Sequence, residues 1–133
     1  MTTKISTAIR DQLAQTAAGN FYSATLKIYT GAQPASPDDA ASGTLLATFT
    51  DLAFQGTPSA GTVPLDTGYG TLIVNAAATG DAGWGRLEQP ASGYKIDGSV
   101  GLSGAQFIVN TTSLTTGGLV ALLSCDIVMP GAQ

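Results

Sequence analysis

The chain of 133 residues contains no histidine and only one cysteine, Cys125. Histidine is the usual general base near neutral pH and the commonest metal ligand, so both roles lack their usual side chain. Catalytic triads of the Ser-His or Cys-His type and zinc sites of Cys and His ligands are therefore excluded. A lone thiol forms no intramolecular disulfide, and the alternating apolar series Leu119–Ile127 around it predicts that Cys125 is buried and inert.

Charged residues make up only 11% of the chain, less than half of the roughly 25% that is usual in globular domains. Hydrophobic residues reach 44%, so there are enough apolar side chains to build a core. The surface must then consist mainly of Ser, Thr, Gly, Ala, Asn and Gln. Such a surface loses little hydration when another protein covers it, so we expect much of it to be covered in an assembly. The alternative is a free-standing β domain with an uncharged surface.

The net charge is −4, and the basic side chains are few and scattered. They are Lys4, Arg10, Lys27, Arg86 and Lys95, and no two of them are neighbours in sequence. Nucleic-acid binding depends on a clustered positive field, so we expect no direct nucleic-acid partner. The sequence shows neither a signal-peptide pattern nor an apolar run of about 18 residues, so we also expect no membrane partner.

An amphipathic helix is predicted within residues 1–20, where apolar side chains recur at every fourth position: Ile5, Ile9, Leu13 and Ala17. Ser6 or Thr7 is expected to cap its start, and Gly19-Asn20 to end it. A helix of this length is marginal alone in water, so its apolar stripe must rest on something. Two interpretations remain open, namely packing against the chain's own β domain and an arm that docks on a neighbouring subunit.

Residues 21–133 have the pattern of a β domain. The first strand, Tyr22–Tyr29, alternates with period two, which places its even-numbered residues in the core. A second strand begins at Leu45, after an acidic loop that Pro34 and Pro37 stiffen. Further short strands are predicted near residues 52–54, 63–65, 71–76, 83–88, 94–98, 106–110 and 119–129, with 83–98 forming a hairpin and the apolar segment 72–74 covered on both faces. This spacing predicts a single antiparallel β-sandwich or jelly-roll-like domain with one short N-terminal α-helix.

No set of carboxylates has a spacing that indicates acid–base catalysis. Asp38 and Asp39 are adjacent in the loop, where we expect solvated turn residues; a weak calcium site is the alternative. We therefore expect no enzymatic activity, no cofactor and no metal. Trp84 lies between two glycines beside Arg86, which indicates either a core anchor or an interface anchor, since Trp and Arg are enriched at binding hot spots.

Several stretches carry a family resemblance, namely Leu26–Pro34, Gly43–Thr48, Ala82–Trp84, Ile96–Gly101 and Asn110–Leu114. Together they resemble a family of small tailed-bacteriophage virion structural proteins. One position departs from the pattern, because Gly85 stands where an aromatic residue is expected in similar proteins. The family has no known catalytic residues, so the resemblance implies a non-enzymatic virion component and transfers no site residue.

Within that class we expect a capsid decoration or cement protein on the outer face of the major capsid lattice, in virions assembled in the host cytoplasm. An acidic chain suits the outer face better than the DNA side. The expected partners are the major capsid protein or other virion proteins, and further copies of the chain in a homo-oligomer. The alternatives are a tail- or neck-associated subunit, and a carbohydrate-binding adhesion module with Trp84, Tyr69 and Tyr94 as its platform. Candidate interface residues are Ile9, Leu13, Gln33, Pro34, Pro37, Asp38, Asp39, Trp84 and Arg86.

Overall fold

The computed structural model describes residues 5–54, 58–66, 68 and 70–128. Its elements in chain order are α1 (Thr7–Asn20), β1 (Ala24–Tyr29), β2 (Leu45–Leu52), β3 (Thr62–Val63), β4 (Ile73–Asn75), β5 (Gly80–Asp81), β6 (Trp84–Gln89), β7 (Tyr94–Gly101), β8 (Phe107–Val109), β9 (Ser113–Leu114), β10 (Leu119–Cys125) and β11 (Ile127–Val128). Strands make up 44% of the structure, and α1 is its one short helix among the described residues, which confirms the predicted mainly β class. Tyr69 and the expected strand end at Met129–Pro130 lie outside the described residues.

A seven-stranded sheet in the order β2-β1-β6-β7-β8-β10-β4 forms the body of the domain. Segments that flank β4 bond to β2, because the Ala77 amide donates to the Leu46 carbonyl at 2.7 Å and the Thr71 amide to the Thr50 carbonyl at 2.9 Å. The sheet is therefore nearly closed and barrel-like, which is compatible with the predicted sandwich or jelly-roll-like domain. Its strand pairs are antiparallel except for a short parallel contact between β7 and β8.

The first strand has the expected alternation only from Ala24 onward. Ala24, Leu26 and Ile28 are buried, whereas Tyr22, which was expected on the same face, is exposed. Ser23 adopts a φ of 47°, in the left-handed region, so the chain turns between Tyr22 and β1. The predicted core position of Tyr22 is wrong because the strand periodicity begins after this turn.

The predicted strand at 71–76 forms as β4, but it is not covered on both faces. Ile73 is exposed and Val74 is half-buried. β4 is the last strand in the order of the sheet, and it turns one face toward the core and the other outward. An apolar run is thus compatible with a singly covered strand, and the prediction of double coverage is wrong.

The helix has the predicted Ser6 cap and its last residue is Asn20, but Phe21 rather than Gly19-Asn20 forms the C-cap, and the helix buries a different face. The Ser6 hydroxyl caps it by accepting the Ile9 amide at 3.3 Å. Ala14 and Ala18 are the buried residues, and Ile9 and Leu13 are exposed. Alanines bring the helix backbone close to β3 and β11, which leaves the larger apolar residues on the outer flank.

Polar contacts fix the same helix to the turn before β3. The Arg10 guanidinium donates to the Ala60 carbonyl, and the Gly61 amide donates to the Asp11 carboxylate at 2.7 Å. Both partners of the helix lie about fifty residues away in sequence, so these contacts tie the N-terminal segment to the body of the domain. The helix therefore packs on its own β domain.

The hairpin predicted across residues 83–98 is confirmed, with β6 and β7 paired from Trp84↔Ser99 to Gln89↔Tyr94. Gly85 in this hairpin has no space for a side chain. A Cβ placed there would lie 2.9 Å from Cδ2 of the buried Phe107 ring and 3.2 Å from Cδ1 of Ile28. This packing explains why glycine occupies a position where an aromatic residue was expected.

We predict that Gly83→Ala strongly destabilises the domain. A Cβ at this position would lie 2.0 Å from the Gly31 carbonyl oxygen, and neither backbone segment can move without disturbing the base of the loop after β1. The free energy of unfolding should fall by about 3 kcal/mol in urea denaturation.

Gly19→Ala is the matched control for this prediction. A Cβ at Gly19 meets nothing within 4 Å, so its stability should be unchanged or higher by up to about 1 kcal/mol. Equal stability of the two variants would contradict the close approach of Gly83 to Gly31.

Candidate functional site

The loop between β1 and β2 (residues 31–44) folds back onto the sheet. The Thr30 amide donates to the Thr44 carbonyl at 3.0 Å, and the Thr44 amide to the Thr30 hydroxyl at 2.8 Å, which closes the base of the loop. The Ser42 hydroxyl donates to the Ala32 carbonyl at 3.2 Å, and the Ser42 carbonyl accepts the indole Nε1–H of Trp84 at 3.3 Å. The loop is therefore a closed structure anchored on β6.

Trp84 lies beneath this loop, on the face of the sheet opposite the hydrophobic core. Its ring is fully buried and stacks on Tyr29 of the neighbouring strand, with ring centroids 4.8 Å apart and an interplanar angle of 15°. The guanidinium carbon of Arg86 lies 5.3 Å from the centre of the Trp84 ring. Such stacking and cation–π contacts favour a single arrangement of the three side chains.

Arg86 also forms a buried ion pair with its cross-strand neighbour Asp97. The guanidinium donates from Nε to Oδ1 at 2.7 Å and from Nη2 to Oδ2 at 2.9 Å, and the two side chains are 5% and 0% exposed. The hydrogen bond from Arg86 to Asp97 raises the pKa of the guanidinium. Both charges are compensated within the pair, so this cluster has the properties of a structural element rather than of a reactive centre.

We predict that Asp97→Ala lowers the free energy of unfolding by about 3–5 kcal/mol, because it leaves the Arg86 charge buried without a partner. The double variant Arg86→Met with Asp97→Leu should recover most of this loss, since no charge then remains buried. Urea denaturation of the three proteins measures both effects.

The partly exposed pair Lys27–Glu88, with Nζ and Oε1 2.8 Å apart, provides the control on the same face of the sheet. Lys27→Met should cost about 0–1 kcal/mol, since water already solvates part of that pair. If Lys27→Met lowered the free energy of unfolding as much as Asp97→Ala does, burial would not explain the difference in stability expected between the two ion pairs.

A groove of about 440 Å³ lies between the end of α1, the β1–β2 loop and the β6–β7 turn. We call it the hairpin groove. Ala17, Phe21 and Ile96 supply its apolar wall. Three separate segments of the chain therefore meet at one concave surface, which is the usual geometry of a small-molecule site.

The rim of the hairpin groove is polar and carries one charge of each sign. Asn20, Asp38, Tyr94 and Lys95 contribute an amide, a carboxylate, a phenol and an ammonium group, and Gly93 completes the lining. Tyr94 is 52% exposed, so its ring is accessible from the solvent. The groove thus combines an aromatic face with hydrogen-bond donors and acceptors.

Gln89 positions the β6–β7 turn that forms one side of the groove. Its side chain is almost fully buried, donates to the Tyr22 carbonyl and accepts the Ala91 amide at 2.6 Å. Gly93 closes the turn with its amide on the Gln89 carbonyl at 2.8 Å and a φ of 78°. Sequence reasoning missed Gln89, because a glutamine before a proline indicates a turn but does not indicate burial.

A local turn holds Asp38 at the groove. The Asp38 amide donates to the Ser36 hydroxyl at 3.1 Å, and the Asp39 carboxylate accepts the Ser36 amide at 3.2 Å. Asp39 is thus used inside the turn, whereas Asp38 lines the groove. Within the described part of the chain, no group of three or more His, Cys, Asp or Glu side chains is placed to hold a metal ion.

The predicted interface residues do not form one site. Ile9 and Leu13 lie on the exposed flank of α1. In the β1–β2 loop, Gln33 and Asp39 are exposed, Asp38 lines the groove, and the two prolines, Pro34 and Pro37, are half-buried. Trp84 and Arg86 are buried. The buried pair Trp84 and Arg86 is inaccessible to a partner in this fold. Sequence reasoning therefore named two residues of the groove, Asp38 as part of the loop and Tyr94 as part of an aromatic platform.

A second candidate surface lies on the outer side of β4 and β10. Ile73, Leu119 and Leu123 are 62%, 66% and 55% exposed, and the register places Ile73 opposite Ala121. We call this surface the β4–β10 face. Neither strand contains a charged residue. The face is therefore apolar and uncharged.

A change of register explains why this face was not predicted. The pairing of β10 with β8 shifts between Leu122 and Ser124, which breaks the alternation along the strand. Leu119 and Leu123 point outward in regular alternation with the buried Val120 and Leu122, and the shift after Leu122 turns Cys125 into the core. The expected burial of Cys125 is confirmed, although the apolar series around it divides between two faces.

We predict that native Cys125 does not react with DTNB at neutral or mildly alkaline pH. Burial raises the pKa of the thiol well above its usual value, so the nucleophilic thiolate is not populated there. Reaction should become complete once guanidinium chloride unfolds the protein. Rapid reaction of the folded protein, judged folded by its far-UV circular dichroism, would contradict the burial of the side chain.

Comparisons with protein-family models, curated proteins and solved structures found no match to this chain. Among the residues that the structure describes, no helix is long and apolar enough to cross a membrane.

Proposed function

We propose that this chain is a non-enzymatic structural protein of a tailed-bacteriophage particle, where it binds the outer face of the major capsid lattice as a decoration or cement protein. The observation that carries the proposal is the uncharged β4–β10 face, with Ile73, Leu119 and Leu123 each more than half exposed. The family resemblance of the sequence supports the assignment to a virion.

Burial of the β4–β10 face is favourable because no ion has to leave water. Covering apolar surface contributes about 25 cal/mol per Å², and a contiguous exposed apolar patch commonly marks a protein–protein contact. The face is small, so a single contact would be weak. On a symmetric lattice, contacts with several neighbours strengthen binding through effective concentration.

The charge distribution fits a position outside the shell. The net charge is −4, and packaged DNA repels an acidic protein. Three basic side chains are engaged within the chain, namely Arg10 with the Ala60 carbonyl, Lys27 with Glu88 and Arg86 with Asp97. The described surface therefore offers no basic cluster to a nucleic acid.

A tail- or neck-associated subunit is the alternative within the same class, since such a subunit would also use an apolar face. The aromatic platform expected for a carbohydrate-binding module loses its tryptophan, whereas Tyr94 is exposed. Trp84 is fully buried against Tyr29, so its ring cannot stack on a sugar.

Copy number in purified particles tests the proposal. Particles produced from the genome that encodes this chain should contain on the order of hundreds of copies, located on the head by cryo-electron microscopy. About six or twelve copies at the neck or tail would instead select the alternative. Absence of the protein from the particles would refute both.

We further predict that Leu119→Lys reduces the occupancy of particles at least about tenfold, because a buried contact would have to desolvate the new charge. Leu102→Lys is the matched control, since Leu102 is 60% exposed but lies outside the β4–β10 face. Both variants should keep the melting temperature of the parent. Equal occupancy of the two variants would show that this face is not the contact surface.

A further inference from the structure

We propose that the hairpin groove binds a neutral saccharide. The groove shares no residue with the β4–β10 face, and the inference does not depend on a position in a virion. It assigns a ligand to a surface that the proposed capsid contact, the β4–β10 face, does not include.

The size of the groove suits a small ligand. Its volume of about 440 Å³ falls within the range of roughly 300–1,000 Å³ that is typical of ligand pockets. It is open rather than enclosed, so one or two sugar rings would remain partly in solvent. Weak binding, with fast exchange, follows from such a shallow site.

The apolar and aromatic side chains of the groove match the C–H face of a sugar ring. Tyr94 presents an exposed ring with a polar hydroxyl at its tip, and the half-buried Ala17 and Ile96 supply apolar surface beside it. Tyrosine is suited to ligands that are apolar on one side and hydrated on the other. A purely apolar ligand would leave the polar rim without partners.

The charges of the rim favour a neutral ligand. Asp38 and Lys95 have opposite signs, so an anion or a cation would gain from one and be repelled by the other. Sugar hydroxyl groups both donate and accept hydrogen bonds, so they satisfy a carboxylate, an ammonium group and the amide of Asn20 together. A zwitterionic peptide is the ligand that competes with this assignment.

The backbone that presents these groups is fixed before any ligand arrives. Gln89 ties the turn at Ala91 to the carbonyl of Tyr22, and the Ser36 turn holds Asp38 in place. A preorganised groove loses little conformational entropy on binding, which compensates in part for its small contact area.

The test uses ¹⁵N-labelled protein titrated with glucose, galactose, mannose, N-acetylglucosamine, lactose, maltose and cellobiose. At least one sugar should shift the amide resonances of Asn20, Phe21 and the segment 93–96, with a Kd on the order of 1 mM. The dipeptide Gly-Gly and sialic acid serve as zwitterionic and anionic probes and should bind more weakly. Absence of shifts with every neutral sugar, or stronger binding of either charged probe, overturns the proposal.

Variants of the groove separate stacking from charge. Tyr94→Ala should weaken binding at least about tenfold, equivalent to 1.4 kcal/mol. Tyr22→Ala should leave it unchanged, because Tyr22 is more exposed than Tyr94 but does not line the groove. Asp38→Asn keeps a hydrogen-bonding group and should weaken sugar binding by less than about tenfold. Loss of binding in Asp38→Asn with retention in Tyr94→Ala would refute saccharide stacking.

The saccharide proposal and the capsid-decoration proposal can fail independently of each other. A protein that is absent from phage particles but binds a sugar at this groove retains the saccharide inference and loses the decoration role. A protein that coats particles but shows no sugar-dependent shifts does the reverse.

Discussion

The buried ion pair between Arg86 and Asp97 is the contact on which the centre of the sheet depends. Two charges that are removed from water must face each other, so the pair favours the β6–β7 register in which they are cross-strand neighbours. A shift of the register by one residue would leave both charges buried without partners. The same register places Gln89 opposite Tyr94 at the end of the hairpin, and so it also determines the shape of the groove.

The chain covers the polar side of its central strands with its own loop. Tyr29, Trp84 and Arg86 lie on one side of the sheet, and Leu26, Ile28 and Leu87 face the core on the other. The loop reaches Trp84 through the Ser42 carbonyl, while the approach of Gly83 to Gly31 keeps its base close to the sheet. The prolines of this loop therefore stiffen a segment that covers Trp84.

Local patterns in the sequence were sufficient to predict the helix, most strands and the hairpin, because period four, period two and turn residues are local signals. They did not predict how elements that are distant in sequence pack against each other. The helix packs through Ala14 and Ala18 rather than through its larger apolar residues. A register shift in β10 places Cys125 in the core, although Leu123 faces outward. Each of these outcomes depends on the partner surface, which a single sequence does not contain. For the same reason the groove was not predicted, since its three segments are distant in sequence.

The scarcity of charge has a different consequence on each surface. On the β4–β10 face, the absence of ions makes coverage by another protein favourable, because contact then displaces only weakly bound water. In the hairpin groove, one acidic and one basic side chain oppose each other, so polarity is retained without a net field. One small domain can have both a face that a partner protein covers and a groove that stays open to hydrated ligands only if the two surfaces lie on separate elements. Here the face is built from β4 and β10, and the groove from α1, the loop after β1 and the β6–β7 turn. A partner protein that covers the β4–β10 face therefore need not contact the residues of the hairpin groove.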